Sequence, residues 1–267
     1  MKTPEAMAIP RLYRERTGPP LLLLHALGME RSLWQFVTAH LPGEILTCDL
    51  PGHGQAPTPA AGWSLADHAA ALAAALEREA VTRIAVGGFS IGGLIAQQLA
   101  ATRPDLVSRL ILISTTHCYT DEQRALWAGL ARLVRGSSVA RFSDQLMGRW
   151  FTPEAIADDT PAVAYVRGCY ATVPAEGFAQ ACDVLATADL SDLTARLRMP
   201  TLIICGDDDV PSFGEAARRF AATIPQSRLV LIPGGRHAAC LEFPGLFTTA
   251  VTEFLGRLDG SCHGELG

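Results

Sequence analysis

Six short stretches of the chain are largely apolar at consecutive positions, without the polar–apolar alternation of a half-exposed strand: Pro20–His25 (PLLLLH), Ile45–Asp49 (ILTCD), Arg83–Gly88 (RIAVGG), Arg109–Ser114 (RLILIS), Thr201–Gly206 (TLIICG) and Arg228–Pro233 (RLVLIP). A strand apolar on both faces lies between two layers, as in a parallel sheet. Between these runs the pattern changes to that of helices. SLADHAAALAAALEREA carries an Ala/Leu face, with Ser64 and Asp67 as capping candidates at its start, and Ile91–Thr102, Phe213–Thr223 and Phe243–Leu258 are further helices. Strands alternating with helices predict an α/β fold, a mostly parallel sheet with helices on both faces.

The alternation breaks once. From Thr116 to Leu190 no strand-like run occurs, only helical pieces such as TDEQRALWAGLARLVRG and SVARFSDQLMGRWF. That is too long for an ordinary connection, and it is expected to form an inserted helical cap over the sheet. The chain then divides into a first core part (1–116), a cap (117–189) and a second core part (190–267). The final DGSCHGELG reads as a frayed tail, which leaves Cys262 and His263 without a role.

Composition narrows the partners. Of 267 residues 49% are hydrophobic and 18% charged, enough apolar material for a large core. A net charge of −5 without a basic cluster argues against nucleic acid or an anionic membrane as partner, but not against a small anionic substrate. The seven cysteines are odd in number and have no C-x-x-C spacing, as expected of free thiols in a reducing cytoplasm. MKTPEAMAIPRLYRER has no apolar stretch of signal-peptide length, and Leu21–Leu24 falls far short of the roughly 20 residues that span a bilayer. A soluble intracellular protein is the expectation, with its oligomeric state open.

The candidate chemistry starts at GGFSIGG, residues 87–93. Gly88-Phe89-Ser90-Ile91-Gly92 fits G-x-S-x-G between a predicted strand and a predicted helix, the setting that motif requires. A sharp turn there holds the serine strained above the sheet, tolerable only where the residues two before and two after have almost no side chain. Gly87 and Gly93 are left for close helix–strand packing. The Ile91 N–H, first in the helix, faces the place where an oxyanion would form. A serine needs a base, and the base an orienting acid. Both follow in the order Ser…Asp…His: Gly206-Asp207-Asp208-Asp209 after one late strand and Gly234-Gly235-Arg236-His237 after the next. Asp209 is the expected acid and His237 the expected base, while Asp207 and Asp208 read as a solvated turn. His40 and His68 lie on helical patterns, His117 at the mouth of the cap, and His53 in a structural turn. In Leu24-His25-Ala26-Leu27-Gly28 the chain must turn and expose a second N–H, that of Leu27, with His25 bracing the loop.

Taken in order, LLLLHALG, DLPGHG, GFSIGG, GDDDVP and GGRH resemble the oxyanion loop, the following turn, the nucleophile elbow, the acid loop and the histidine loop of the α/β-hydrolase family, over essentially the whole chain. One position departs: Ala26 stands where the family's glycine usually follows the histidine. The resemblance implies the α/β-hydrolase fold with a cap, and the serine at the elbow disfavours the family's dehalogenase and epoxide-hydrolase branches. In the cap, Gly148–Thr152, Tyr165–Tyr170 and GFAQACDVLATADL look like 3-oxoadipate enol-lactonases. That implies a pocket for a carboxylated enol-lactone lined by Trp150, with Arg135 or Arg149 meeting the carboxylate. The reading is a serine hydrolase of a small ester or lactone that needs no metal or organic cofactor. A carbon–carbon bond hydrolase or an acyltransferase on the same triad, and a non-catalytic ligand-binding module, are the alternatives.

Overall fold

The computed structural model describes residues 10–60 and 62–256. The expectation for the N-terminus falls in large part on residues 1–9, and that for Cys262 and His263 on the other end. Both lie outside the described residues. Seven strands form one sheet: β1 (Tyr13–Glu15), β2 (Pro20–Leu24), β3 (Glu44–Cys48), β4 (Ile84–Phe89), β5 (Val107–Ile113), β6 (Thr201–Gly206) and β7 (Ser227–Ile232). Their order is β1-β3-β2-β4-β5-β6-β7, with only β1 antiparallel. The six expected strands are all present within two residues of their predicted bounds. β1 was not expected, because YRE is short, polar and largely exposed at the sheet edge.

The burial of β2, β4 and β6 explains their unbroken apolar runs: every residue of β4 and β6, and four of the five in β2, are buried. Helices α1 (Leu65–Arg78) and α2 (Ile91–Thr102) follow β3 and β4. At the start of α1 the Ser64 hydroxyl accepts from the Asp67 N–H while the Asp67 carboxylate accepts from the Ser64 N–H, the reciprocal cap that the sequence suggested.

Between β5 and β6 the chain makes α3 (Asp121–Arg135), α4 (Ser143–Trp150), α5 (Pro153–Ala157), α6 (Pro161–Thr172), α7 (Ala175–Thr187) and α8 (Ser191–Thr194). The neck of this helical insertion is tied where the chain leaves and returns: Cys118 and Asp189 form an isolated bridge, and the Leu190 N–H donates to the His117 carbonyl at 2.8 Å. α9 (Pro211–Thr223), α10 (Ala239–Glu242) and α11 (Pro244–Gly256) complete the fold.

The strand order also locates a crevice. After β2 the chain moves to one side, to β3, and then returns past β2 to β4 on the other side. Loops leaving the carboxyl ends of β2 and β4 therefore diverge, and ligands of open α/β sheets bind at such a switch point. His25 and Ser90 stand on those two loops.

Candidate active site

Ser90 is held in a conformation that few side chains adopt. It lies between β4 and α2 with φ 55° and ψ −114°, a strain of about 1–3 kcal/mol that persists only where neighbours over-determine it. They do so here. The Ser90 N–H donates to the Ile113 carbonyl at 3.0 Å, and the Ser90 carbonyl accepts from the Thr115 hydroxyl at 2.7 Å and the Gly93 N–H at 2.9 Å. The flanking glycines are sterically required: a β-carbon on Gly88 would come within 2.1 Å of the Gly92 carbonyl oxygen, and one on Gly92 within 2.5 Å of the Leu24 carbonyl oxygen. Gly93 gives way to the side chain of Thr115, two residues past the end of β5, so its helix packs on the loop there and not on a strand. Gly87 faces Leu23 of the neighbouring strand instead of a helix.

At the ends of β6 and β7, Asp209 and His237 are bonded to one another. His237 Nδ1 lies 3.1 Å from Asp209 Oδ2 and 3.2 Å from Oδ1, and both residues are more than nine-tenths buried. Oδ1 also accepts from the Val210 N–H at 2.7 Å, and the Cys205 thiol donates to Oδ2 at 3.6 Å. The carboxylate thus faces the Nδ1 side of the ring and leaves Nε2 for other work. Asp207 and Asp208 serve the loops: Asp207 accepts from the Gly234 N–H at 2.7 Å and Asp208 pairs with Arg236 at 3.2 Å. Ser90 comes to the same edge through Phe89, whose ring lies 5.3 Å from His237, and its hydroxyl forms no hydrogen bond among the described residues. A serine hydroxyl without a competing partner and a carboxylate-oriented imidazole are groups that can together perform acyl transfer.

The loop after β2 is built around His25. Its ring is fully buried, with Nδ1 2.8 Å from the Ala26 carbonyl oxygen and Nε2 accepting from the Leu50 N–H at 2.9 Å. That pattern requires the neutral ring with its proton on Nδ1. Asp49, also buried, accepts from the Arg31 N–H at 2.7 Å and the Gln55 N–H at 3.0 Å, which fixes the other end of the loop. The N–H groups of Leu27 and Ile91 have no backbone acceptor among the described residues, so both can serve a substrate oxygen.

Burial and the neighbouring His53 push the His25 pKa down to about 3 from the usual 6.5, and burial lowers that of His53 as well. Asp49 and, at longer range, His68 are the other charged or titratable groups acting on this pair. The unfolded chain takes up a proton near 6.5 and the folded chain only near 3, so stability is full above about 6.5 and falls as the pH drops toward 3. We expect the melting temperature to fall between pH 7 and pH 5, with a shallower slope in His25→Gln. Equal slopes would remove His25 from the acid sensitivity.

The insertion meets the site at Trp150, at the end of α4. Its ring stands perpendicular to His237 at 5.1 Å and edge-on to Phe89 at 5.3 Å, while Phe213 of α9 covers the imidazole at 4.5 Å. The backbone fastens the same contact: the Ala238 N–H donates to the Trp150 carbonyl at 2.8 Å, the His237 N–H to that of Arg149 at 3.4 Å, and Arg236 to that of Gly148 at 2.8 Å. Of the two arginines expected to meet a substrate carboxylate, Arg135 is engaged by carboxylates of the protein itself. Its guanidinium binds Glu176 at 3.0 Å and Asp183 at 2.5 Å, which ties α3 to α7 and commits its charge there. Arg149 is exposed and has no carboxylate partner among the described residues.

Sequence reasoning assigns no role at the site to Phe213, Arg236 or Tyr170. Arg236 carries a signal in its place next to His237, and Tyr170 in closing the Tyr165–Tyr170 stretch of the insertion. No group of three or more His, Cys, Asp or Glu that could hold a metal occurs among the described residues, nor any helix long and apolar enough to cross a membrane. The six cysteines described are free thiols.

A family model described as alpha/beta hydrolase fold matches residues 19–244. The chain is 28% identical to 3-oxoadipate enol-lactonase 2 of Acinetobacter baylyi over 249 residues, covering 92% of each. It is 31% identical to the pimeloyl-[acyl-carrier protein] methyl ester esterase of Nitrosomonas europaea, over 87% of this chain and 94% of the relative. Among solved structures it is similar to a thermophilic esterase from Thermogutta terrifontis, solved with malate bound, at 27% identity and a TM-score of 0.87, covering 92% of each.

Proposed function

From the premise that this chain belongs to the alpha/beta hydrolase family, we propose that it is a serine hydrolase of small esters or lactones, with Ser90, His237 and Asp209 as its triad. The observation that carries the proposal is the Asp209–His237 bond at the sheet edge that also holds Ser90 in its strained turn. Ser90 Oγ attacks the acyl carbon as His237 Nε2 takes its proton, and Asp209 stabilises the imidazolium through Nδ1–H. The Leu27 and Ile91 N–H groups receive the developing oxyanion. Nε2 then gives its proton to the departing alcohol or enol oxygen, which in a lactone stays tethered to the acyl group. His237 next deprotonates a water, which attacks the acyl carbon, and the acid leaves as Ser90 recovers its proton.

An enol-lactonase and an ester hydrolase both stand among the relatives, which supports the ester and lactone class. A carboxylated enol-lactone is the narrower form of the proposal, and with Arg135 engaged elsewhere it rests on Arg149. The unbridged thiols favour a reducing compartment, taken here as the cytoplasm. The test is a panel of lactones and short-chain esters, carboxylated and neutral, with a fluorophosphonate to label the nucleophile. Labelling at Ser90 with turnover of at least one ester or lactone is expected, and a folded protein that neither labels nor turns over any of them would refute the proposal. For the narrower form, Arg149→Ala lowers kcat/KM more for the carboxylated substrates than for neutral ones. Equal losses would remove Arg149.

A further inference from the structure

We infer that the Tyr170 hydroxyl donates a hydrogen bond to the acyl part of the substrate, so that the site favours acyl groups bearing an acceptor oxygen, carbonyl or ether. The inference rests on the hydrolase reading above.

Tyr170 lies on α6 with only 2% of its surface exposed. Its ring is edge-on to Trp150 at 6.1 Å, the residue that covers His237, and edge-on to Phe178 at 6.4 Å. It also reaches the opposite side of the site. A β-carbon on Gly28 would lie 2.6 Å from Tyr170 Cε1 and 3.0 Å from Cδ1, so the hydroxyl end of the ring is the one nearer the loop that carries Leu27. Trp150 and Tyr170 thus form an arc from the imidazole to that loop, facing the nucleophile's edge of the sheet.

The polar atoms of this arc are unused. Neither the Tyr170 hydroxyl nor the Trp150 indole N–H has a hydrogen-bond partner among the described residues, although both side chains are more than nine-tenths buried. Neither atom is among the fully enclosed unpaired polar atoms, so each opens on free space although the rest of its side chain is covered. Another tyrosine of the same helix shows the contrast: the Tyr165 hydroxyl shares a hydrogen bond with Ser32 at 3.0 Å and donates to the Glu30 carbonyl at 3.4 Å, which docks α6 on the loop. Tyr170 has no such docking task. Burial holds its phenol pKa well above the usual value, so it stays a neutral donor. The indole of Trp150, whose ring packs edge-on against Tyr170, carries a donor only. An accessible phenol donor without a protein partner suits an acceptor on the ligand.

The test uses two esters whose acyl chains have the same number of heavy atoms, 4-nitrophenyl butanoate and 4-nitrophenyl methoxyacetate, which differ by CH₂ against O. Their kcat/KM values are measured for wild type, Tyr170→Phe and Tyr165→Phe, each normalised to active sites titrated with a fluorophosphonate, so that partial misfolding does not enter the ratio. Tyr170→Phe should lose more on the methoxyacetate than on the butanoate by about three- to tenfold, the range of one neutral hydrogen bond. Tyr165→Phe should lose equally on both. Equal losses for Tyr170→Phe would overturn the inference and assign its hydroxyl to packing or to the oxyanion, with the hydrolase reading intact. A folded wild type that hydrolyses neither ester and does not label would overturn that reading, and this inference with it.

Discussion

Ser90→Ala lowers kcat for ester hydrolysis by on the order of 10⁶, the loss that follows removal of a triad nucleophile, while the fold stays intact. The substitution removes one oxygen and keeps the β-carbon. The backbone bonds that hold φ at 55° come from Ile113, Thr115 and Gly93, and none involves the lost hydroxyl. The penalty of a positive φ comes from the β-carbon, which alanine and serine share, so the variant inherits the strain without adding to it. Far-UV circular dichroism and melting temperature should match wild type, and labelling by a fluorophosphonate should vanish. Turnover of an activated ester within a hundredfold of wild type would place the nucleophile elsewhere.

Much of this site could be read from the sequence because its parts sit at strand ends, and the strands were the most legible elements. β4 and β6 are buried along their whole length, so their residues are apolar at every position and their ends are sharp. Asp207, Asp208 and Asp209 are consecutive and alike in sequence, and Asp209 stands apart only as the last residue of GDDD in the stretch that resembles the family's acid loop. The structure gives the three neighbours different tasks: a bond to the Gly234 N–H, an ion pair with Arg236 and a bond to His237.

What sequence could not supply was the partner of a side chain on a distant element. On α3, Arg135 reads as a free cation on a polar helix face. Its carboxylates lie 41 and 48 residues away on α7, and nothing local announces them. The same limit hid Tyr170, whose neighbours come from α4, α7 and the loop at Gly28. β1 escaped for another reason: three residues at an exposed edge need no apolar pattern, since backbone pairing with β3 suffices.

The insertion and the chemistry share their fastenings. Arg236 and Ala238 flank His237 and bond to the carbonyls of Gly148 and Trp150, so the end of α4 cannot move without pulling on the histidine loop. A second anchor is backbone against backbone: a β-carbon on Gly177 of α7 would lie 2.1 Å from the Gly52 carbonyl oxygen, a contact that admits no side chain. The orientation of the His237 ring is therefore set jointly by Asp209 and by the insertion.

That joint control frames the second large effect. Asp209→Asn should lower kcat by about 10⁴ with KM changed far less. The shapes of the two side chains are nearly equal, so packing and the Cys205 and Val210 contacts are retained in outline. What changes is polarity. An asparagine amide has one acceptor where the carboxylate has two, and the Val210 N–H already takes an oxygen at 2.7 Å. The amide NH₂ would then face His237 Nδ1 and demand an acceptor there, which moves the ring proton to Nε2 and leaves no lone pair toward Ser90. The negative charge that stabilises the imidazolium is lost at the same time. If the insertion alone were enough to orient His237, through the Arg149 carbonyl and the Trp150 ring, the variant would keep most of its rate. A loss below tenfold, with unchanged melting temperature, would support that outcome and remove Asp209 from the triad.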